Sequence, residues 1–230
     1  MFYKYEIHLH TSGCSDCGGS TSIEMVDAAK SAGYAGIVFT NHFYHGNTCI
    51  DRALPWKDFV EAFENDYLVA KEYGKKCGID VLFGIEEAYR QGKEVLIYGI
   101  SAEVLKNTPD FLIMDLHKMA EFTRKNGGLI CVAHPFRHRS YIPDPDTVPP
   151  CECFDAVEVY NAANSNEDND TADKYADKFG LLKISGGDTH DTAHFGKAGV
   201  AFTERVKDDK TFVELIKNNK HKLIIDGEIL

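Results

Sequence analysis

The chain has 230 residues, of which 43% are hydrophobic and 27% are charged, values typical of a globular protein with a substantial core. Its 36 acidic residues outnumber 25 basic ones, and the net charge of −11 argues against a dedicated DNA- or RNA-binding module. No apolar run approaches the roughly 18 residues of a membrane span. Because the N-terminus also lacks a signal-peptide pattern, we expect a cytoplasmic protein.

Short apolar strands alternate with amphipathic helices along the chain. The predicted strands cover residues 5–11, 36–40, 81–85, 94–100, 129–133, 156–160, 181–185 and 199–203, with a further segment at 222–226. The predicted helices cover residues 22–32, 56–76, 115–126, 167–179 and 210–218. This alternation is typical of parallel βα units, and about seven such strands favour a closed or nearly closed barrel.

Seven cysteines are present, and an odd number leaves at least one unpaired in any disulfide framework. In a cytoplasmic chain we expect them to be reduced. Cys14 and Cys17 have CxxC spacing, and Cys151 and Cys153 lie far along the chain. These pairs are only a weak indication of a structural zinc site.

The first predicted strand ends in two histidines. His8 and His10 are two residues apart, so on a strand both imidazoles project from the same face. Two imidazoles at the carboxyl end of a strand provide half of a divalent-metal site. For this stretch alone, two surface histidines are an equally good interpretation.

The carboxyl ends of the later strands repeat this chemistry, and in a parallel βα barrel those ends form the functional face. The ligand-type residues at or just after strand ends are Asp16, His42, Glu86, Glu87, His134, Glu158, Asp188 and His190. Histidine and carboxylate suit zinc, iron or manganese. Because so many side chains exceed the ligands of one tetrahedral ion, the sequence predicts a multinuclear metal site.

Five short segments of the sequence resemble, in the same order, the motifs of the PHP (polymerase and histidinol phosphatase) family. They are His8-Leu9-His10-Thr11, Thr40-Asn41-His42, Gly84-Ile85-Glu86, Ala133-His134-Pro135 and Ser185-Gly186-Gly187-Asp188-Thr189-His190. The resemblance extends over essentially the whole chain, and the ordered set is what makes it specific. It implies a distorted (β/α)7 TIM-like barrel forming a single domain over residues 1–230, with a trinuclear site that hydrolyses phosphate esters.

The resemblance also implies how two or three divalent ions of zinc, manganese or iron would be held. The ligands of the first ion would be His8, His10, Glu86 and Asp188. The ligands of the second would be Asp16, His42 and His190. The third would take His134, with Glu86 as a bridging carboxylate.

The chain departs from the family pattern at Leu96. The family often supplies a further histidine for the third metal on the strand after the bridging glutamate, and Leu96 stands at that position. Glu94 lies two residues earlier on the same strand face and could substitute. The alternative is that Glu94 is a solvated residue at the start of the strand.

The resemblance implies a phosphoric ester hydrolase of histidinol-phosphatase type. The expected reaction is in-line attack of a metal-bridging hydroxide on a phosphomonoester of a small metabolite or nucleotide. The predicted catalytic residues are Glu86, Asp188 and His194, and the predicted substrate contacts are Arg137, His138, Arg139 and His45. For His194 and the four substrate contacts, ordinary polar loop residues are the alternative.

Two other functions remain open at this point. A barrel amidohydrolase also begins with His-x-His, but that family usually has a metal-bridging lysine on a middle strand, and no lysine ends a strand here. A non-catalytic, metal-stabilised PHP module is the other alternative. The expected partner is a small phosphorylated substrate rather than a membrane or a long nucleic acid, and neither the substrate's identity nor the oligomeric state follows from the sequence.

Overall fold

Ten strands and six α-helices make up the fold of this computed structural model, which describes residues 1–230. The strands are β1 (Tyr3–Leu9), β2 (Gly36–Phe39), β3 (Asp80–Arg90), β4 (Lys93–Tyr98), β5 (Leu129–Ala133), β6 (Ala156–Asn161), β7 (Leu182–Gly186), β8 (Gly199–Phe202), β9 (Lys222–Ile225) and β10 (Glu228–Ile229). The helices are α1 (Ser22–Ser31), α2 (Trp56–Cys77), α3 (Ala102–Lys106), α4 (Leu116–Lys125), α5 (Asn166–Phe179) and α6 (Asp209–Lys217). Every helix predicted from the sequence is present, and α3 is additional. None of the helices combines the length and the apolar character needed to cross a membrane.

Six of the strands form two parallel groups that run in one direction. The strand order in the sheet is β10-β9-β8-β1-β2-β3-β4-β5-β6-β7. The strands β1, β2 and β3 pair in parallel, and so do β5, β6 and β7. Because β4 lies antiparallel between β3 and β5, the two parallel groups point the same way. The loops that follow these six strands therefore share one end of the sheet.

The expectation of parallel βα units is wrong for β4. The chain turns from β3 into β4 at Gln91 and Gly92, and Gly92 has a φ of +67°. Such a short connection can join only antiparallel neighbours, because a parallel crossover needs a dozen or more residues. The strands β8, β9 and β10 are antiparallel as well. The fold is thus a mixed α/β, TIM-like sheet, and a strict (β/α)7 barrel is not confirmed.

The sheet curls so that its two parallel groups meet at the carboxyl ends of the strands. The backbone N–H of His10 donates to Thr189 O at 2.9 Å, and Thr189 N–H donates to His8 O at 3.1 Å. These hydrogen bonds join the end of β1 to the segment after β7. The ends of the first and last parallel strands are therefore adjacent, although the two strands lie far apart in the sheet order.

The carboxyl ends of the parallel strands form the mouth of the curled sheet. Apolar side chains fill the interior below this mouth. Leu96 and Tyr98 of β4 are fully buried in one cluster with Ile7 of β1 and Phe212 of α6. The Tyr98 hydroxyl donates to Ile7 O at 2.9 Å. A second, larger cluster packs the helices against the outer side of the sheet. The interior is thus occupied by side chains, and only the mouth carries polar groups that converge.

Candidate metal centre

Ligand-type side chains from five strand ends meet at the mouth of the sheet. Four groups place their ligand atoms within 4.8 Å of one another: His10/His42/His190, His8/His10/Asp188, His8/Glu86/His134 and His42/Glu86/Glu94. His190 and Glu94 are partly exposed, whereas the other members are buried. The groups share members, so they form one continuous cluster. A cluster of imidazole and carboxylate groups such as this is a donor set suited to divalent metal ions.

Glu86 lies at the centre of the cluster. Its Oε1 is 3.2 Å from His8 Nε2 and 3.1 Å from His134 Nε2. Its Oε2 is 3.3 Å from His10 Nε2 and 3.0 Å from His42 Nδ1. One carboxylate thus faces four imidazoles with its two oxygens, which is the position of a bridging ligand.

Several atoms of this cluster are buried without a hydrogen-bond partner. They are His8 Nε2, His10 Nε2, His42 Nδ1 and Glu86 Oε2. Buried polar atoms are almost always hydrogen-bonded, since an unpaired one costs about 1–3 kcal/mol. Four unpaired nitrogen and oxygen atoms that face one another are the donor set that divalent zinc, iron or manganese prefers. The residues therefore fit bound metal ions.

Outer hydrogen bonds fix three of the histidines, His8, His10 and His190, so that each presents Nε2 to the cluster. His8 Nδ1 donates to Glu158 Oε1 at 2.7 Å, and His10 Nδ1 donates to Ser15 Oγ at 3.2 Å. His190 Nδ1 donates to the carbonyl oxygen of Asp188 at 2.8 Å. Partners of this kind are typical of metal-ligating histidines, because they set the tautomer and the ring orientation.

Glu6 shapes the end of β1 and was not anticipated from the sequence. The pairing of β1 with β2 shifts register between Glu6 and Leu9. The backbone N–H groups of Ile7, His8 and Gly187 all donate to Glu6 Oε1 at 2.8–3.0 Å. Burial raises the pKa of Glu6 to about 8. A carboxylate between the apolar residues Tyr5 and Ile7 of the strand is the sequence signal that points to such a role.

Close backbone approach positions the segment before Asp188. A Cβ on Gly186 would lie 2.3 Å from Glu158 Oε1 and 2.6 Å from His8 Cβ, so only glycine leaves room for the hydrogen bond between those two residues. Asp188 and His134 then adopt positive φ angles of 50° and 29°. Non-glycine residues rarely take such angles, and they cluster at functional sites where the surroundings hold them in place.

Burial and neighbouring charges together set the protonation of the cluster. Burial raises the pKa of Glu86, but His8 and His42 outweigh this and hold it well below its usual range. Burial likewise opposes ionisation of Asp188, but Arg137 holds the pKa of that carboxyl well below its usual range. Burial and the nearby His42 lower the pKa of His10 to about 3. Both carboxylates are therefore charged and His10 is neutral at pH 7, which are the forms that bind metal. Burial lowers the pKa of His8 and His42, but nearby carboxylates, Glu158 and Glu86 for His8 and Glu86 for His42, outweigh this and raise both well above the usual range. These two imidazoles must therefore release protons when metal binds.

Glu94, not Leu96, reaches the cluster from β4. Glu94 Oε1 lies 3.3 Å from His42 Nδ1, and its Oε2 lies 3.6 Å from His134 Nε2. Because β4 runs antiparallel to β3, Leu96 lies two residues deeper and packs in the apolar interior. Glu94, for which the sequence allowed either a metal ligand or a solvated residue, thus faces the candidate ligands.

Asp16 is not brought into the cluster, contrary to its expected place beside His42 and His190. Its side chain is exposed, and Cys17 faces the histidines instead, with Sγ 3.1 Å from His190 Nε2. Burial raises the pKa of the Cys17 thiol, but hydrogen bonds with His190 and His42 outweigh this and lower it to about 6.

A pocket of about 800 Å³ opens above the cluster. Among the predicted substrate contacts, Arg137 and His45 line this pocket, whereas His138 and Arg139 do not. His138 Nδ1 instead donates to Asp168 at 2.7 Å, and Arg139 donates to Ala163 O at 2.5 Å. The predicted catalytic residue His194 is exposed and lines a smaller neighbouring cavity of about 280 Å³. That cavity shares Asp188 and His190 with the larger one.

Arg137 is buried beside the cluster. Its Nη2 donates to Asp188 Oδ2 and, at 2.9 Å, to Asn161 Oδ1, while Nε donates to Asn164 Oδ1 at 2.7 Å. Nη1 takes part in none of these hydrogen bonds. The guanidinium is therefore held rigidly next to Asp188 with one nitrogen left for another acceptor.

His45 is held in a similar way at the rim. Its Nδ1 and its backbone N–H both donate to Glu87 Oε1, at 2.5 Å and 3.0 Å. Glu87 is fully buried, and His45 is partly exposed to the pocket. Because Nδ1 is engaged, Nε2 is the ring nitrogen that a substrate can meet.

Solved structures of three bacterial proteins share this fold. A two-domain protein of Bacteroides vulgatus, described as containing a predicted PHP-like metal-dependent phosphoesterase, has a TM-score of 0.67 and 16% identity over 100% of this chain and 66% of its own. A Bifidobacterium adolescentis protein, described as a metal-dependent phosphoesterase, has a TM-score of 0.57 and 16% identity over 94% of this chain and 96% of its own. An amidohydrolase of Chromobacterium violaceum, with bound sulfate and no metal, has a TM-score of 0.53 and 16% identity over 81% of this chain and 87% of its own.

A family model described as PHP-associated matches residues 166–221, from the start of α5 to the residue before β9. That match covers about a quarter of the chain and agrees with the resemblance of its motifs to the PHP family. No curated protein matches this chain in sequence. The chain spans just under two thirds, 66%, of the Bacteroides vulgatus protein. The identities of 15–16% show a shared fold rather than a shared substrate.

Replacing Glu158 by Gln should weaken metal binding or activity by roughly 10- to 100-fold, the usual effect of losing an outer partner of a ligand. Glu158 accepts from His8 Nδ1 through Oε1 and from His134 N–H and Asn161 Nδ2 through Oε2. An amide in its place cannot accept through both ends. Metal titration by calorimetry would measure the loss, with the exposed Glu72→Gln as the matched control. Equal affinities in the two variants would contradict the orienting role of Glu158.

Proposed function

We propose that the protein is a metal-dependent phosphoesterase that hydrolyses a phosphomonoester of a small metabolite or nucleotide. The observation that carries this proposal is the cluster of unpaired imidazole and carboxylate atoms around Glu86 at the floor of an open pocket. Arg137, with a free Nη1, stands at the wall of the same pocket. A pocket whose floor binds cations, beside the fixed guanidinium of Arg137, suits the tetrahedral dianion of a phosphomonoester.

The proposed ligands are His8, His10, His42, Glu86, Glu94, His134, Asp188 and His190. Divalent ions held there would supply positive charge to the phosphate oxygens and a water whose pKa is lowered to about 7. The chain's own part is to hold those ligands in place. Glu158 and Ser15 fix the imidazoles of His8 and His10.

Two residues are proposed to act on the substrate directly. Arg137 would bind a phosphate oxygen through Nη1, because its other nitrogens are already engaged by Asp188, Asn161 and Asn164. His45 would face the leaving group through Nε2, since Glu87 holds Nδ1. A proton on Nε2 could pass to the leaving alkoxide oxygen.

The size and walls of the pocket favour a small substrate. Its volume of about 800 Å³ lies within the range of small-molecule sites, roughly 300–1,000 Å³. Tyr89, Arg90 and Tyr141 are among the residues that line it, and Arg90 also pairs with Asp144. Two aromatic rings and one guanidinium there would suit a leaving group that is planar or carries its own negative charge.

A barrel amidohydrolase is the second candidate, and the fold similarity to the Chromobacterium violaceum amidohydrolase is the observation that favours it. The residues that line the main pocket include no lysine. The bridging position is instead filled by Glu86, between four imidazoles. The phosphoesterase is therefore the better-supported function.

The test is to load the purified protein with zinc, manganese or iron in turn and to assay a panel of phosphomonoesters, phosphodiesters and N-acyl compounds. We expect phosphate release from at least one phosphomonoester and none after chelation. Amide hydrolysis without phosphate release would favour the amidohydrolase. Stoichiometric metal binding with neither activity would favour a non-catalytic module.

Replacing Arg137 by Lys should lower kcat/KM by roughly 10- to 150-fold, as expected for one hydrogen bond to a charged group, about 1.5–3 kcal/mol. Lysine keeps the charge but cannot engage Asp188, Asn161 and a phosphate together. Steady-state kinetics with the best phosphomonoester would measure the effect. Arg139→Lys, whose side chain lies outside the main pocket, is the matched control. Unchanged kinetics for Arg137→Lys would remove Arg137 from the site.

A further inference from the structure

The turn after β1 directs one thiol into the candidate metal centre. Ser15 N–H donates to Thr11 O and Gly18 N–H donates to Ser15 O, both at 2.9 Å. Asp16 N–H donates to Asn47 O at 2.9 Å, which ties the middle of the turn to the loop after β2. These hydrogen bonds leave the Asp16 side chain exposed.

The Cys17 thiol lies against one of the clustered imidazoles. Its Sγ is 3.1 Å from His190 Nε2. His190, His42 and His10 have ligand nitrogens within 4.8 Å of one another. His10 Nε2 is fully buried and has no hydrogen-bond partner. The thiol therefore lies beside a group of imidazoles in which one buried nitrogen, His10 Nε2, has no hydrogen-bond partner.

We propose that Cys17, rather than Asp16, is the ligand that joins His42 and His190 around one metal ion. The inference rests on the proposed function only in placing a metal in the same centre, and it stands whatever the substrate. On binding, a sulfur–metal bond forms and the thiol proton passes to solvent. No oxidation or reduction is involved.

A thiolate ligand changes which metal this position prefers. Thiolate and imidazole together suit zinc, whereas manganese and magnesium prefer carboxylate and water. With an aspartate ligand the same position would accept manganese readily. We therefore expect the His42/His190 position to bind zinc or cobalt and to discriminate against manganese, while the carboxylate-rich positions around Glu86 discriminate less.

The first test uses cobalt as a spectroscopic substitute for zinc in the full chain. Cobalt titration of the metal-free protein should produce a thiolate-to-cobalt charge-transfer absorption in the near ultraviolet. The band should be lost in Cys17→Ser and kept in Cys49→Ser, a neighbouring cysteine whose Sγ contacts only Ser12 O, at 3.8 Å. X-ray absorption of the zinc form should show a sulfur neighbour at about 2.3 Å, beyond the nitrogen and oxygen shell at roughly 2.0–2.2 Å.

A second test needs no variant, so it holds even where Cys17→Ser does not fold. The unmodified protein is alkylated with iodoacetamide with and without zinc, and each cysteine is quantified by mass spectrometry. Both Cys17 and Cys49 are exposed and should react in the metal-free protein. Zinc should suppress alkylation of Cys17 and leave that of Cys49 unchanged.

Three results would overturn the inference: a cobalt-loaded protein without the thiolate band, a band that survives in Cys17→Ser, or equal alkylation of Cys17 with and without zinc. None of these depends on substrate turnover. A protein that shows the thiolate band and cleaves no phosphomonoester would refute the proposed function alone. A protein that cleaves phosphomonoesters without the band would refute the thiolate ligand alone.

Discussion

Replacing Glu86 by Gln should remove at least one bound metal ion per chain and lower the proposed phosphomonoesterase activity by more than about 100-fold, beyond the loss expected for an outer partner. Glu86 is the only carboxylate that faces His8, His10, His42 and His134 together. Glutamine has nearly the same volume, so packing is retained while the bridging charge is lost. Elemental analysis of the purified variant and a phosphate-release assay would measure the two effects.

Glu72→Gln is the matched control for that experiment. Glu72 makes only an exposed ion pair with Lys75 on α2, at 2.5 Å, and such pairs contribute little to stability. We expect full metal content and full activity in this control. A Glu86→Gln protein with the same metal content as Glu72→Gln would show that Glu86 does not bridge.

Removing the metal ions should lower the midpoint of thermal unfolding substantially. Binding to the native state alone stabilises it by about 2.7 kcal/mol when free metal is 100 times the Kd. For a chain of this length that corresponds to roughly 5 to 11 °C, at about 2–4 °C per kcal/mol. The physical reason is that bound ions would satisfy His8 Nε2, His10 Nε2, His42 Nδ1 and Glu86 Oε2, which lack partners. Scanning calorimetry before and after dialysis against a chelator would measure the shift.

Readdition of zinc should restore the midpoint, and the shift should be smaller in Glu86→Gln than in the unmodified protein. A midpoint that is the same with and without chelator would mean that the cluster holds no stoichiometric ion. The unpaired atoms would then have to be satisfied by water, and both the phosphoesterase and the thiolate ligand would lose their support.

The sequence predicted the helices and most of the strands, because each has a distinct hydrophobic period and clear end signals. The signal at the start of α1 is a capping box, in which Thr21 Oγ1 accepts from Glu24 N–H at 3.3 Å and Glu24 Oε2 accepts from Thr21 N–H at 2.7 Å. The sequence did not predict the direction of β4. An apolar strand has the same period in a hairpin as in a parallel unit, and only the length of the connection distinguishes the two.

The residue types at the mouth were determined by the sequence alone. Period-two spacing places His8 and His10 on one face of β1, and strands that run in parallel bring their carboxyl ends to one end of the sheet. Glu86, His134 and Asp188 follow from the same two rules. Local geometry is sufficient here because each of these side chains lies on a strand or within two residues of one.

Tertiary structure alone decided which neighbours complete the cluster. Glu94 faces it and Leu96 does not, because β4 runs away from the mouth. Cys17 faces it and Asp16 does not, because hydrogen bonds to a loop thirty residues away orient the turn after β1. In loops, the direction of a side chain is set by such long-range contacts rather than by spacing. The sequence therefore determined the chemistry of the centre, and the fold determined its members.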